Sequence, residues 1–312
     1  MSALICGSLA FDNIMVFEDR FENHILPEKI ALLNVSFLMP SFRKEYGGCG
    51  GNIAYNLQML GGTPIPMGTV GDDFGPYRAW IEKNSIRDDY IRVIPDTFTA
   101  QAYIGTDLAD NQITFFHPGA MEHSSECDVA QAEPTEIGII SPDSREGMLQ
   151  HARQMYLAGI PFIFDPGQGL PMFEGGDLKG FLEMATWVAT NEYEAVLMEE
   201  KLSMTRREIA KEVEAYIVTK GAAGSEIHID KEILQIPAVP APSFCDPTGC
   251  GDAYRAGLLY GLERKLEWYV TGRLASLLGS IKSEYVGTQN HCFGTEEIAA
   301  RFLETYGFEI QL

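Results

Sequence analysis

Asp252 follows three small residues, Gly249, Cys250 and Gly251, and leads into a helix-compatible run from Ala253 to Leu262. A turn-rich approach, Pro237 to Pro242, precedes the stretch Asp-Pro-Thr-Gly-Cys-Gly-Asp-Ala that begins at Asp246. Small residues at a helix start leave backbone N–H groups uncovered. Those groups lack internal partners and the helix dipole adds partial positive charge, so such an end attracts anions. A carboxylate beside an anion site is out of place unless it accepts a proton. Asp252 therefore reads as a base that deprotonates a hydroxyl while the N–H groups hold phosphoryl oxygens. The same residues also read as an ordinary glycine-rich loop with Asp252 as a favourable first-turn acid.

Other residues have chemistry available to them. Asp12 and Asn13 follow the apolar run Leu4 to Leu9, a buried strand candidate. Ligands in open α/β sheets bind beyond the carboxyl ends of strands, and a carboxylate suits a pair of sugar hydroxyls; a turn-forming Asp-Asn pair is the plainer alternative. Gly47-Gly-Cys-Gly-Gly-Asn52 feeds a helix through Gly61. Its glycines would let a substrate lie against backbone, and Asn52 both donates and accepts. It is no Walker A loop, since no Gly-Lys-Ser/Thr closes it. Asn191 and Glu194 lie three apart and share a helix face, which fits a capping box as well as a ligand site. Lys220-Gly-Ala-Ala-Gly224 ends another strand, with glycines that permit close approach. The six histidines have no metal-ligand spacing.

The elements that must position these residues alternate. Short apolar strands are predicted at Leu4–Leu9, Ile65–Val70, Ile137–Ile140, Pro161–Asp165, Trp187–Thr190 and Tyr216–Thr219. Helices are predicted at 76–85, 148–157, 253–262 and 268–282. This order implies a mainly parallel sheet covered on both faces. Ile14–Phe17, Ala31–Met39, Ala100–Thr106 and Asn111–His117 read instead as extended segments outside it, the last two joined as a hairpin through residues 107–110. Phe37, Phe115 and Phe116 could form an apolar wall, though core packing is the commoner fate of such rings.

Composition sets bounds. The chain has 312 residues, 46% of them hydrophobic, and a formal net charge of −21. The charge argues against a nucleic-acid surface, so an anionic substrate needs a local positive site, such as a helix end or a magnesium ion. Six scattered cysteines without a Cys-x-x-Cys pair fit a reducing cytoplasm. No apolar run suits a membrane span and the first residues read as a strand, not a signal peptide.

The stretch from Asp246 resembles the C-terminal signature of the PfkB family, the ribokinase-like sugar and nucleoside kinases, with Cys250 where Ala is commoner. Gly47 to Asn52 is similar to the N-terminal signature. Asn191 to Glu194, Thr219 to Gly224 and the Asp165-Pro turn match further motifs in order, and Gly71 to Gly75 matches a turn with shifted spacing. The resemblance implies a single α/β kinase domain over 1–312: a three-layer α/β/α body with a mainly parallel sheet, and a small β-sheet lid from segments of about 14–46 and 98–117. It implies Asp252 as catalytic base and Gly249, Cys250 and Gly251 as anion hole. Asp12, Gly48 and Asn52 would meet sugar hydroxyls. Asn191, Thr219, Gly221 and Gly224 would meet ATP, with adenine between the 268–282 helix (Ala275, Gly279, Ser280) and the Thr219 region. Glu194 would act on Mg²⁺ through its waters. Some members use a monovalent cation near the loop carrying Asp246.

Within the family, the phrases around Cys6 to Met15, Asn34 to Leu38 and Asn111 to Met121 resemble bacterial adenosine kinases. That implies ATP and a nucleoside as partners, the 5′-hydroxyl facing Asp252, Ser36 near the base and Gln112 reaching across the lid. A sugar kinase of the same fold and a non-catalytic nucleoside or nucleotide sensor are the alternatives. The resemblance leaves both a monomer and a lid-mediated homodimer open.

Overall fold

The computed structural model describes residues 2–25, 34–109, 111–230 and 232–312. Its larger sheet has nine strands: β1 (Ser2–Cys6), β4 (Thr63–Val70), β5 (Tyr90–Val93), β8 (Ile137–Ile140), β9 (Phe162–Phe164), β10 (Trp187–Asn191), β11 (Ala215–Thr219), β12 (Ser225–Ile229) and β13 (Glu232–Ile236). They lie in the order β13-β12-β11-β10-β9-β8-β1-β4-β5. All neighbours pair in parallel except β11–β12 and β12–β13.

Both faces of this sheet are buried, which is why its strands read as continuous apolar runs. Alternation still sorts the side chains. Ala3, Ile5, Ile139 and Ile217 enter one core with the helices α1 (Cys49–Met59), α2 (Gly75–Lys83), α7 (Cys250–Glu263), α8 (Trp268–Ser283) and α9 (Thr295–Tyr306). Leu4, Cys6, Ile140 and Val218 enter the other with α3 (Arg145–Ala158), α4 (Gly175–Met184), α5 (Glu192–Leu202) and α6 (Arg206–Ile209). The three layers match the sequence expectation. The strand order reverses at β1, whose neighbours are β4 and β8. A crevice beyond the carboxyl ends of β1 and β8 follows from that reversal.

The smaller sheet has the order β3-β2-β6-β7, from β2 (Ala10–Val16), β3 (Ser41–Gly47), β6 (Ala100–Thr106) and β7 (Gln112–His117). Three expectations change here. The first strand ends at Cys6, not Leu9. Asp12 lies inside lid strand β2 and pairs across from Glu45 and Ala102, rather than in a loop after a body strand. Residues 34–39 form no strand, and 31–33 lie outside the described residues. The strand is Ser41–Gly47, a polar edge strand without the apolar signal sought; polar and charged edges are common because they discourage unwanted pairing. Phe37 packs into a cluster with Phe17 and Phe21, each 5.0 Å away between ring centres. Phe115 stays exposed, while Phe116 faces a cavity.

Candidate active site

The glycine turn before α7 is built by backbone conformation. Gly249 has φ +80°, in the left-handed region, and a Cβ there would press on Thr288. The turn ends the 246–249 loop at the first residue of α7. Cys250 donates its N–H to Pro247 O at 3.1 Å, so this group is already engaged. The N–H groups of Gly249, Gly251 and Asp252 meet no acceptor among the described residues. The set available to an anion is therefore shifted by one position from the one expected, because the turn folds Cys250 back onto its own loop.

Asp252 stands on the first turn of α7, and its carboxylate accepts from Asn52 Nδ2 at 2.8 Å. Asn52 in turn accepts from Gln289 Nε2 at 3.0 Å, which also reaches Tyr77 OH at 2.7 Å. This chain fixes the Asn52 amide with its nitrogen toward the carboxylate. Burial pushes the Asp252 carboxyl up to about 7; the Asn52 bond opposes this, Asp165 adds to it and Arg255 opposes it. A carboxyl near neutrality is suited to exchanging a proton. Arg255 lies one turn on and clamps Asp165 with two hydrogen bonds of 3.1 and 3.0 Å, both residues buried. Arg255 was given no role from sequence; its position three after Asp252, on the same helix face, was the available signal.

A cavity of about 620 Å³ opens above Asp252 at the crevice beyond β1 and β8. It is lined by Asp12, Gly48, Asn52, Gly249, Gly251 and Asp252, and also by Asn191 and Glu194. Asp12 is pushed up to about 6, by burial first and then by Glu45 and Asp246. Ile104, Phe116, Met121 and Met172 supply apolar walls, and Asp143 and Gln168 further polar ones that sequence reading missed. A second cavity of about 700 Å³ is lined by Thr219, Gly221, Gly224, Phe244, Cys250, Gly251, Gly279 and Ser280. Gly251 belongs to both. Volumes of this size accept small organic ligands.

Three expected residues are not brought to either cavity. Ser36 is exposed on the segment before β3. Gln112 shares a strand face with Thr114 and Phe116, which do line the first cavity, but sits two residues outward with its amide 3.5 Å from Thr106 Oγ1. Ala275 is fully buried, because α7 and α8 touch there.

Asn191 and Glu194 do form a capping box. Glu194 accepts from Asn191 N and Nδ2, both at 2.7 Å, and gives its N–H to Asn191 Oδ1 at 2.8 Å. Burial raises the Glu194 carboxyl above the ordinary range, and Asp165 adds to that. Among the described residues no group of three or more His, Cys, Asp or Glu could hold a metal ion by itself. A magnesium ion carried on phosphates needs only one or two carboxylates and water. Glu194, open to the first cavity, fits that demand.

The pfkB family carbohydrate kinase model matches residues 14–295. The structure of Burkholderia thailandensis nucleoside kinase in complex with inosine superposes with a TM-score of 0.91 at 48% identity, covering 98% of this chain and 99% of that one. The same enzyme with ADP-inosine gives 0.89 at 49% identity, over 99% and 97%. The nucleoside kinase of Methanocaldococcus jannaschii is 31% identical over 276 residues, 88% of this chain and 91% of the relative. The chain belongs to the pfkB family of carbohydrate kinases and is a phosphotransferase whose acceptor is an alcohol group.

Proposed function

We propose that this chain is an ATP-dependent nucleoside kinase, with adenosine as the leading substrate, that converts the ribose 5′-hydroxyl to a 5′-phosphate. One observation carries the reading: two ligand-sized cavities meet at Gly251, and Asp252 opens onto the first. The nucleoside takes the first cavity, its ribose hydroxyls on Asp12, Gly48 and Asn52, its base against the apolar walls. ATP takes the second, beside Thr219, Gly221 and Gly224, with its phosphates reaching Gly249 and Gly251. Ser36 and Gln112 have no comparable support.

In the transfer, O5′ bonds to the γ-phosphorus as its proton passes to Asp252. The bond from that phosphorus to the bridging oxygen breaks, leaving ADP. The N–H groups of Gly249, Gly251 and Asp252 stabilise charge on the moving phosphoryl group. Magnesium, when bound on the phosphates, would neutralise their charge, and Glu194 would meet its waters. Nucleoside kinases nearly half identical over almost the whole chain support this acceptor class.

The test is ADP release with Mg·ATP against adenosine, inosine, guanosine, cytidine, ribose and fructose, with acceptor-free controls. Turnover with nucleosides and little with free sugars is expected, adenosine leading. Inosine ahead of adenosine would replace the preferred base; turnover with sugars alone would overturn the acceptor assignment.

A further inference from the structure

Residues 246–249 lead straight into the glycine turn, so whatever fixes this loop also fixes the anion site. A single side chain does so from α8. Lys282 Nζ donates to Asp246 O at 2.9 Å and to Tyr285 O at 3.1 Å. The side chain is 0% exposed, and it stands on the last turn of α8, where the helix dipole favours a cation. The Asp246 carboxylate is committed too. It accepts the N–H groups of Thr248 and Gly287, both at 2.9 Å, with Arg43 3.9 Å from Oδ2.

A monovalent cation beside this loop would need such oxygens as ligands. Here the carbonyls already face a fixed ammonium. A second positive charge a few ångströms from it would be repelled rather than held. The donor set therefore does not fit the monovalent cation that some family members use.

We infer that Lys282 is a built-in replacement for that cation: a positioning residue whose ammonium joins the Asp246 and Tyr285 carbonyls, making turnover independent of K⁺. The inference needs the phosphotransferase activity but no particular acceptor. It assigns Lys282 no contact with either substrate. Losing the ammonium would leave two carbonyls facing each other in a buried space, and the glycine turn would shift.

The intact protein is assayed with whichever alcohol acceptor it uses, in buffer free of Na⁺ and K⁺. KCl or choline chloride is then added at matched ionic strength. Wild-type turnover should respond equally to the two salts; a K⁺-specific rise of severalfold overturns the inference. In Lys282→Met, kcat should fall by up to about a hundredfold, the scale of a displacement of about 1 Å, with KM for the acceptor little changed. K⁺ or ammonium ion should restore part of that loss. The ligand-free proteins supply a second readout. Wild type should melt at the same temperature in both salts, and Lys282→Met should gain a K⁺-specific rise. A variant that keeps wild-type kcat, or loses it without rescue in rate or melting temperature, overturns the inference. If the variant does not fold, the two wild-type comparisons decide. If no acceptor is turned over, the kinase reading fails on its own, while the melting comparison still tests Lys282.

Discussion

Asp252 must be ionised to take a proton, and burial sets when that occurs. With its carboxyl at about 7 in the free protein, kcat/KM should fall as pH drops through about 7 and level off above it. A profile flat from pH 5 to 8, measured as initial rates at low acceptor concentration, would remove Asp252 from the base role. The hydrogen bond from Asn52 favours the carboxylate, so Asn52→Leu should move the same limb to higher pH. Asp252→Asn should retain nucleoside binding by calorimetry and lose turnover by roughly 10²–10⁴-fold, the usual worth of a general base.

At the scale of elements, α7 and α8 are pressed together where they wall the second cavity. A Cβ at Gly257 would lie 2.5 Å from Ala275 Cα, a backbone contact that cannot yield. Gly257→Ala should therefore destabilise by about 1–3 kcal/mol in denaturant unfolding, the range for overpacking. The same α7 carries Arg255 to Asp165 at the end of β9. Arg255→Met would leave the Asp165 carboxyl buried without its cation. Loss of about 3–5 kcal/mol is expected, the range for removing one partner of a buried pair. An unfolding midpoint equal to wild type would show that the pair contributes little to holding α7 against the sheet.

Across the whole molecule, buried carboxyls make stability depend on pH. Asp143, beyond β8, is 4% exposed and pushed up to about 7, chiefly by burial, with Ser144 N–H and Ser124 opposing. A carboxyl raised in the folded state adds its full stability below the unfolded value near 3.8 and loses it as pH rises through about 7. Asp143→Asn should thus raise the melting temperature at about pH 8 relative to wild type and change it little at about pH 5. Equal shifts at both would mean that the carboxyl does not ionise in the folded protein. No described helix is long and apolar enough to cross a membrane, and the chain's acidity leaves the local N–H groups and Lys and Arg residues to meet phosphate.

Sequence alone determined the strands buried on both faces, since continuous apolar runs such as Ile137–Ile140 admit few other readings, and it determined the order of the glycine turns. It also located Asp252, because a carboxylate after three small residues at a helix start has few reasons to be there. What it could not decide depends on partners far along the chain. Strand β3 is polar, so only pairing with β2 reveals it. Asp12 reaches the first cavity from the lid, through a register that no local pattern encodes. Asp165 and Arg255, 90 residues apart, become a pair only when β9 and α7 meet. Lys282 reads as an ordinary last-turn lysine until folding places its ammonium between two carbonyls. Local propensity and periodicity act over a few residues, whereas burial, charge pairing and the meeting of two cavities at Gly251 are set by contacts between distant segments.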